Sequence, residues 1–247
     1  MRYLTALPIL IGLLIAAVPA VATQPDACPV RPELALADMA LPQSAAAVAT
    51  EKRLSILTLG GAATAGKTAG GDAYTYPARL QARLRAALPG IDVSVTPSAA
   101  VHRSALEMLQ RLDRDLSDTS PNLVIWAAGG VEAAGHVLVD EFADTLDRGI
   151  DKTTAAGTDM ILVDVLYAPS IARVVDLMPY RDATLATGAA RGVPVLDRYQ
   201  LMQDWNDSGE LAFDTTDPKE RVQVARKLFD CLAAVLADSI AAAVRRP

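Results

Sequence analysis

Residues 53–68 read RLSILTLGGAATAGKT, and this stretch decides how the rest of the chain is read. Its first part, Leu54–Leu59, is a nearly continuous β-type apolar run that ends in two glycines. A run this short and this apolar suits a strand covered on both faces, the kind found in parallel sheets. Comparable runs recur at Ile91–Thr96, Leu123–Ala127, Met160–Val165 and Val193–Leu196. Between them the apolar residues take helical spacing. Leu80, Leu84 and Leu88 follow Pro77, a natural first-turn residue; Leu106, Leu109, Leu112 and Leu116 form a second stripe; Phe142, Leu146 and Ile150 form a third. Over 219–244 a last helix carries Leu228, Cys231, Leu232, Val235 and Leu236 on its apolar side. Strands alternating with helices predict an α/β fold, a three-layer α/β/α sandwich around a parallel sheet of about five strands. In such sheets the functional crevice lies beyond the C-terminal strand ends. Chemistry is therefore sought in 60–68, 97–103, 128–136, 167–170 and the approach to the last helix.

The loop after the first strand admits two readings. From Gly61 to Thr68 it satisfies the phosphate-binding pattern G-x-x-x-x-G-K-[ST], with Lys67 and Thr68 as the phosphate and magnesium contacts and Asp164 as an acid at the end of a later strand. That chemistry requires the loop to open directly into a helix, whose N-terminus helps hold the phosphate. Here Ala69-Gly70-Gly71-Asp72 follows, and a helix is credible only near Pro77.

The second reading covers far more of the chain. The segment ILTLGGAATAGKT, then YPARLQARLRAALPG (76–90), SALEMLQRLDRDL (104–116), PNLVIWAAGG (121–130), MILVDVLYAP (160–169), GVPVLDRYQLMQDW (192–205) and FDCLAAVLADSI (229–240), resembles, in order, the blocks of the SGNH/GDSL esterases. The resemblance spans about residues 52–242, and it implies the three-layer sandwich read above. It also implies a catalytic serine, an activating histidine, an acid that orients it, and an oxyanion site of backbone N–H, glycine and asparagine.

Position by position, those groups are missing. The serine position is Ala62, and no serine occurs between Ile56 and Tyr76. The glycine of the second block falls near Ala99, and the oxyanion asparagine at Val131. The Asp-x-x-His pair before the last helix falls on Glu220 and Gln223, or in a second register on Asp214 and Asp217. The chain's histidines are His102 and His136, and neither lies in its C-terminal third. The resemblance thus implies a pseudo-esterase that keeps the scaffold and binds an acylated glycan, a cell-envelope component or a protein partner. A competing expectation is an acyl-transfer enzyme with non-standard groups, such as Thr64 with His102.

Other polar residues near the expected crevice carry two uses each. His102 and Arg103 are ligand contacts or surface-loop residues; His136 is a loop residue that starts the next helix. Glu132 is a crevice acid or a first-turn acid favoured by the helix dipole. Asp214, Asp217 and Glu220 form a carboxylate cluster, and Asp217-Pro218 fits an N-cap followed by a first-turn proline. Trp126 reads as core, and Trp205 as crevice wall or core. No metal-ligand spacing is present, no cofactor is called for, and without a basic stripe nucleic acid is not an expected partner.

The N-terminus sets the compartment. Arg2, the apolar run 6–18 and the small residues up to Ala22 read as a secretory signal cut after Ala22. The alternative, an uncleaved anchor, asks a short run to span a bilayer. Residues 23–50 are Ala- and Pro-rich without a period and read as an arm or loop; 51–247 form the SGNH-like domain. A periplasmic or secreted location follows, with no membrane span after cleavage. In that oxidising compartment Cys28 and Cys231 are expected to pair rather than stay as free thiols. The net charge of −6 is spread along the chain as ordinary solvated faces.

Overall fold

The structure is a computed structural model and describes residues 28–66 and 69–246. The expected signal segment (1–22), its cleavage point after Ala22, and Lys67 and Thr68 lie outside the described residues.

Five strands form one parallel sheet: β1 (Arg53–Gly60), β2 (Asp92–Ala99), β3 (Leu123–Ala127), β4 (Asp159–Val163) and β5 (Val195–Leu196), in the order β2-β1-β3-β4-β5. All four pairings are parallel, with Ile56 opposite both Val95 and Leu123. The helices are α1 (Pro42–Glu51), α2 (Tyr76–Ala87), α3 (Ala105–Thr119), α4 (Gly130–Ala134), α5 (Val139–Ala155), α6 (Pro169–Ala172), α7 (Met178–Arg191), α8 (Arg198–Asp207) and α9 (Pro218–Arg245). The α/β/α sandwich expected from the alternation is what the chain forms.

Strand period two sorts the core into two halves. Leu54, Ile56, Leu123, Ile125, Ile161 and Val163 face a layer built from α1, α2, α8 and α9. Leu57, Leu59, Val124, Trp126, Met160 and Leu162 face α3, α5 and α7. The central strands β1, β3 and β4 are buried almost throughout, as their unbroken apolar runs require. Strand β2 departs from that expectation: it stands at the sheet edge and Val93 is its one fully covered residue. On α3, Leu109, Leu112 and Leu116 are buried as expected, but Leu106 is 46% exposed and Met108 turns inward to accept a hydrogen bond from the Trp126 indole at 3.2 Å. Trp126 is core, as read. Gly149 of α5 lies flat on the Trp126 ring, where a Cβ would collide with it.

The segment read as an arm without regular structure contains a ten-residue helix, α1. No residue at its own N-cap supplies a side-chain acceptor; the Asp159 carboxylate, from the start of β4, accepts from the Gln43 and Ser44 N–H groups and from the Ser44 hydroxyl. Residues before α1 pack as firmly. Cys28 is bonded to Cys231 of α9, with their Cα atoms 5.4 Å apart. Pro29 carbonyl accepts from the Trp205 indole at 2.8 Å, and Arg31 pairs with Asp204 at 2.6 Å. Trp205 is therefore a core anchor for this segment and not a crevice wall. Among the described residues no helix is long and apolar enough to cross a membrane.

Candidate functional site

The loop after β1 is wound tightly. Ala65 N–H donates to Gly61 carbonyl at 3.0 Å and Gly66 N–H to Ala62 carbonyl at 3.1 Å. Gly60 is obligatory here because the Thr64 side chain occupies the space its Cβ would need. Thr64 is accordingly buried (2% exposed), with its hydroxyl beside that of Tyr76. The chain then runs through a short 3-10 turn at Asp72–Tyr74 before α2 begins at Tyr76, capped by the Thr75 hydroxyl. Among the described residues no helix follows the loop directly, as a phosphate loop would require. Asp164, the proposed metal acid of that reading, is fully buried and spent on structure: its Oδ1 accepts from Tyr199 N–H and its carbonyl from Arg198.

A cavity of about 510 Å³ opens beside Ala62. Ala62 and Ala63 form one side, and Leu166–Ala168, after β4, another. Arg198 and Met202 of α8, Phe213 and Thr215 of the following loop, and the first turns of α9 through Leu232 complete it. Tyr167 stands edge-on to Tyr199 (5.2 Å) and to Phe213 (6.5 Å), making an aromatic side wall. Next to the cavity-facing Ala225, Arg226 of α9 ties that helix to the loop after β1, donating from Nε to Ala69 carbonyl at 2.9 Å while lying 3.7 Å over the Tyr74 ring. The cavity occurs at the C-terminal strand ends, where open parallel sheets place their ligands.

A partly buried polar network adjoins it through Arg198. Arg181 of α7 donates to both oxygens of Asp197, whose Oδ1 also caps α8 by accepting from Gln200 N–H. Arg181 Nε is 3.5 Å from Asp164 Oδ2. Burial pushes the Asp164 carboxyl up to about 8, against the opposing pull of Arg198. Burial likewise lowers the Arg198 guanidinium from its ordinary value and raises the Tyr76 phenol. The hydroxyls of Thr58 and Tyr76 and the Nε of Arg198 have no hydrogen-bond partner among the described residues.

The residues singled out from the sequence divide. Ala62 is at the cavity, on the loop where a nucleophile would stand. Ala99 and Arg103 border a second cleft of about 300 Å³ with Arg111 and Asp115. Val131 is half-buried in the first turn of α4, away from the cavity walls. Glu132 is 3% exposed, and its carboxylate accepts from the Gly129 and Ala105 N–H groups, stapling α3 to α4; it is not a crevice acid. His102 is exposed with φ 61° on the β2–α3 loop, and among the described residues no hydrogen bond joins it to Thr64. His136 (φ 54°) lies past the end of α4 and does not start α5, which begins at Val139. Glu220 and Gln223 are exposed within α9, because that helix starts earlier than a free loop bearing an acid–histidine pair would allow; Arg221, Val222, Val224 and Ala225 face the cavity instead. Asp214 is exposed, and Asp217 caps α9 through Lys219 N–H at 2.7 Å, as its spacing before Pro218 predicted. Tyr167 and Phe213 fall in segments named from the sequence, 167–170 and the approach to the last helix, though neither was singled out there; Arg198 was not legible, because it sits at an ordinary-looking helix start.

A parallel sheet in this strand order, helices on both faces and a crevice at the loop after the first strand define an SGNH-type hydrolase fold. A model of the non-GDSL lipase-like family matches residues 27–246, so the chain belongs to that family. Among solved structures, the chain is similar to a lipase/acylhydrolase from Enterococcus faecalis (21% identity, TM-score 0.61, covering 76% of this chain and 96% of that one). It is also similar to a catalytic mutant of an acetylxylan esterase from Geobacillus stearothermophilus (18%, 0.60, 75% and 93%) and to TesA (19%, 0.58, 73% and 97%). At these identities the likeness shows the fold. No curated protein matches the sequence.

Proposed function

We propose that the protein is an exported, non-catalytic member of this fold whose crevice binds an acylated ligand, such as an acylated glycan or cell-envelope component, without cleaving it. The observation that carries this reading is Ala62 at the cavity wall: a methyl group occupies the position from which a hydroxyl would attack. The rest of the machinery is missing in the same way. Val131 offers no side-chain donor to an oxyanion, and Glu220 and Gln223 are turned to solvent. Loss of nucleophile or base alone lowers turnover by about six orders of magnitude in a serine hydrolase. The relocated pair Thr64 and His102 is not supported, since the hydroxyl is buried and the imidazole exposed.

The test is hydrolysis of a short-chain aryl ester by the purified protein. The expected rate equals that of the protein-free control, unchanged by Thr64→Ala or His102→Ala. Turnover abolished by either substitution would overturn the reading in favour of an acyl-transfer enzyme. Export is tested separately by the N-terminal sequence of protein recovered outside the cytoplasm, expected to begin at Thr23.

A further inference from the structure

The walls of the 510 Å³ cavity are apolar apart from a few groups, and the charged side chains among the described residues that line it are Arg198 and Arg221. Both are cations. Among the described residues no carboxylate lines it to answer them. Arg221 is exposed on the first turn of α9 and is solvated by water. Arg198 is different: it is 8% exposed, its Nη2 donates to the Asp164 carbonyl and its Nε is buried without a partner. A buried guanidinium without a matching charge is costly, and its natural complement is a carboxylate, which accepts charge-assisted hydrogen bonds from guanidinium N–H groups. Asp164, whose carboxyl burial raises, is a weak counter-charge for it, and its Oδ2 lies on the side of Arg181 at 3.5 Å. The remaining lining is aliphatic and aromatic: Met202, Phe213, Val224, Leu228, Phe229 and Leu232. A volume of this size lies within the roughly 300–1,000 Å³ of small-molecule sites.

We propose that this cavity binds an aliphatic monocarboxylate, with the carboxylate paired to Arg198 and the hydrocarbon chain along the apolar residues of α9. The inference rests on the reading that the crevice holds a ligand and does not cleave one. It departs from the acylated form of the ligand by assigning a free acid group, which an ester lacks.

Calorimetric titration of the whole protein with dodecanoate, dodecan-1-ol and methyl dodecanoate tests it. Dodecanoate is expected to bind at one site and about tenfold or more tighter than the alcohol of equal chain length. Arg198→Met is expected to remove that preference while leaving the alcohol's weak binding in place. Ala225→Trp, which fills the cavity from α9, is expected to abolish binding of both. Arg221→Met is expected to have a smaller effect, because an exposed cation interacts weakly. Absence of dodecanoate binding, equal affinity for acid and alcohol, or an unchanged preference in a folded Arg198→Met protein would overturn the proposal. Should Arg198→Met fail to fold, the acid–alcohol preference of the unaltered protein and its loss in Ala225→Trp decide the matter. Release of methanol from methyl dodecanoate would overturn the non-catalytic reading, and the dodecanoate affinity is read independently of it.

Discussion

Asp164 shows how one residue can be visible in the sequence and misleading there. At the end of an apolar strand it suggests a metal acid. In the structure it is sealed under α8, where burial raises its carboxyl to about 8 from an ordinary value of 3.8. Between those two values the folded protein holds a proton that the unfolded chain has released. The stability that Asp164 contributes is therefore complete below about pH 4 and is lost as pH rises toward 8, at up to about 1.4 kcal/mol per pH unit. Asp164→Asn keeps the acceptor for Tyr199 N–H and cannot ionise. Its stability relative to the unaltered protein is expected to improve steadily from pH 4.5 to pH 8 in urea unfolding; a constant difference across that range would show that Asp164 is ionised in the fold. Glu132 teaches the complementary lesson. Its position three residues after Gly129 marks it as a first-turn acid, which it is, but nothing local reveals that its second oxygen reaches across to Ala105 of another helix.

At the scale of elements, the central strands and the helices with leucine stripes were legible because each buries one continuous surface, and burial leaves a period in the sequence. Helix α1 was not. Its residues, PQSAAAVATE, give alanine no contrast between faces, and its N-terminal acceptor comes from Asp159, more than a hundred residues away. Helices α7 and α8 were missed for a related reason: their buried faces mix Tyr180, Thr184, Thr187 and Arg198 with aliphatic residues. The crevice was legible only in outline. The loops at strand ends could be named, but which residues of α9 face inward depends on where that helix starts, and Glu220 and Gln223 fall on its outer side. The remote cap has a measurable consequence. Asp159→Ala strands the Gln43 and Ser44 N–H groups and is expected to destabilise the fold by about 1–3 kcal/mol. Thermal unfolding measures this, and a loss below a few tenths would show that α1 does not depend on the contact.

Across the whole molecule, the N-terminal segment is fastened to the far end of the chain. The Cys28–Cys231 bond closes a loop of about two hundred residues, for which the chain-entropy account gives ~5 kcal/mol. Replacing both cysteines with alanine is expected to lower stability by about 3–5 kcal/mol and to make the protein insensitive to added reductant. Equal unfolding midpoints for the two proteins under oxidising conditions would show that Trp205, Arg31 and the buried face of the segment hold it unaided.

Helix α9 is the last element in sequence, yet it covers α2, part of the sheet face and the cavity. A chain growing from its N-terminus therefore displays the bare side of β1, β3 and α2 until those final residues emerge. Throughout synthesis the nascent protein carries a sticky apolar flank, and it depends on being shielded, or on staying unfolded, until the closing helix arrives.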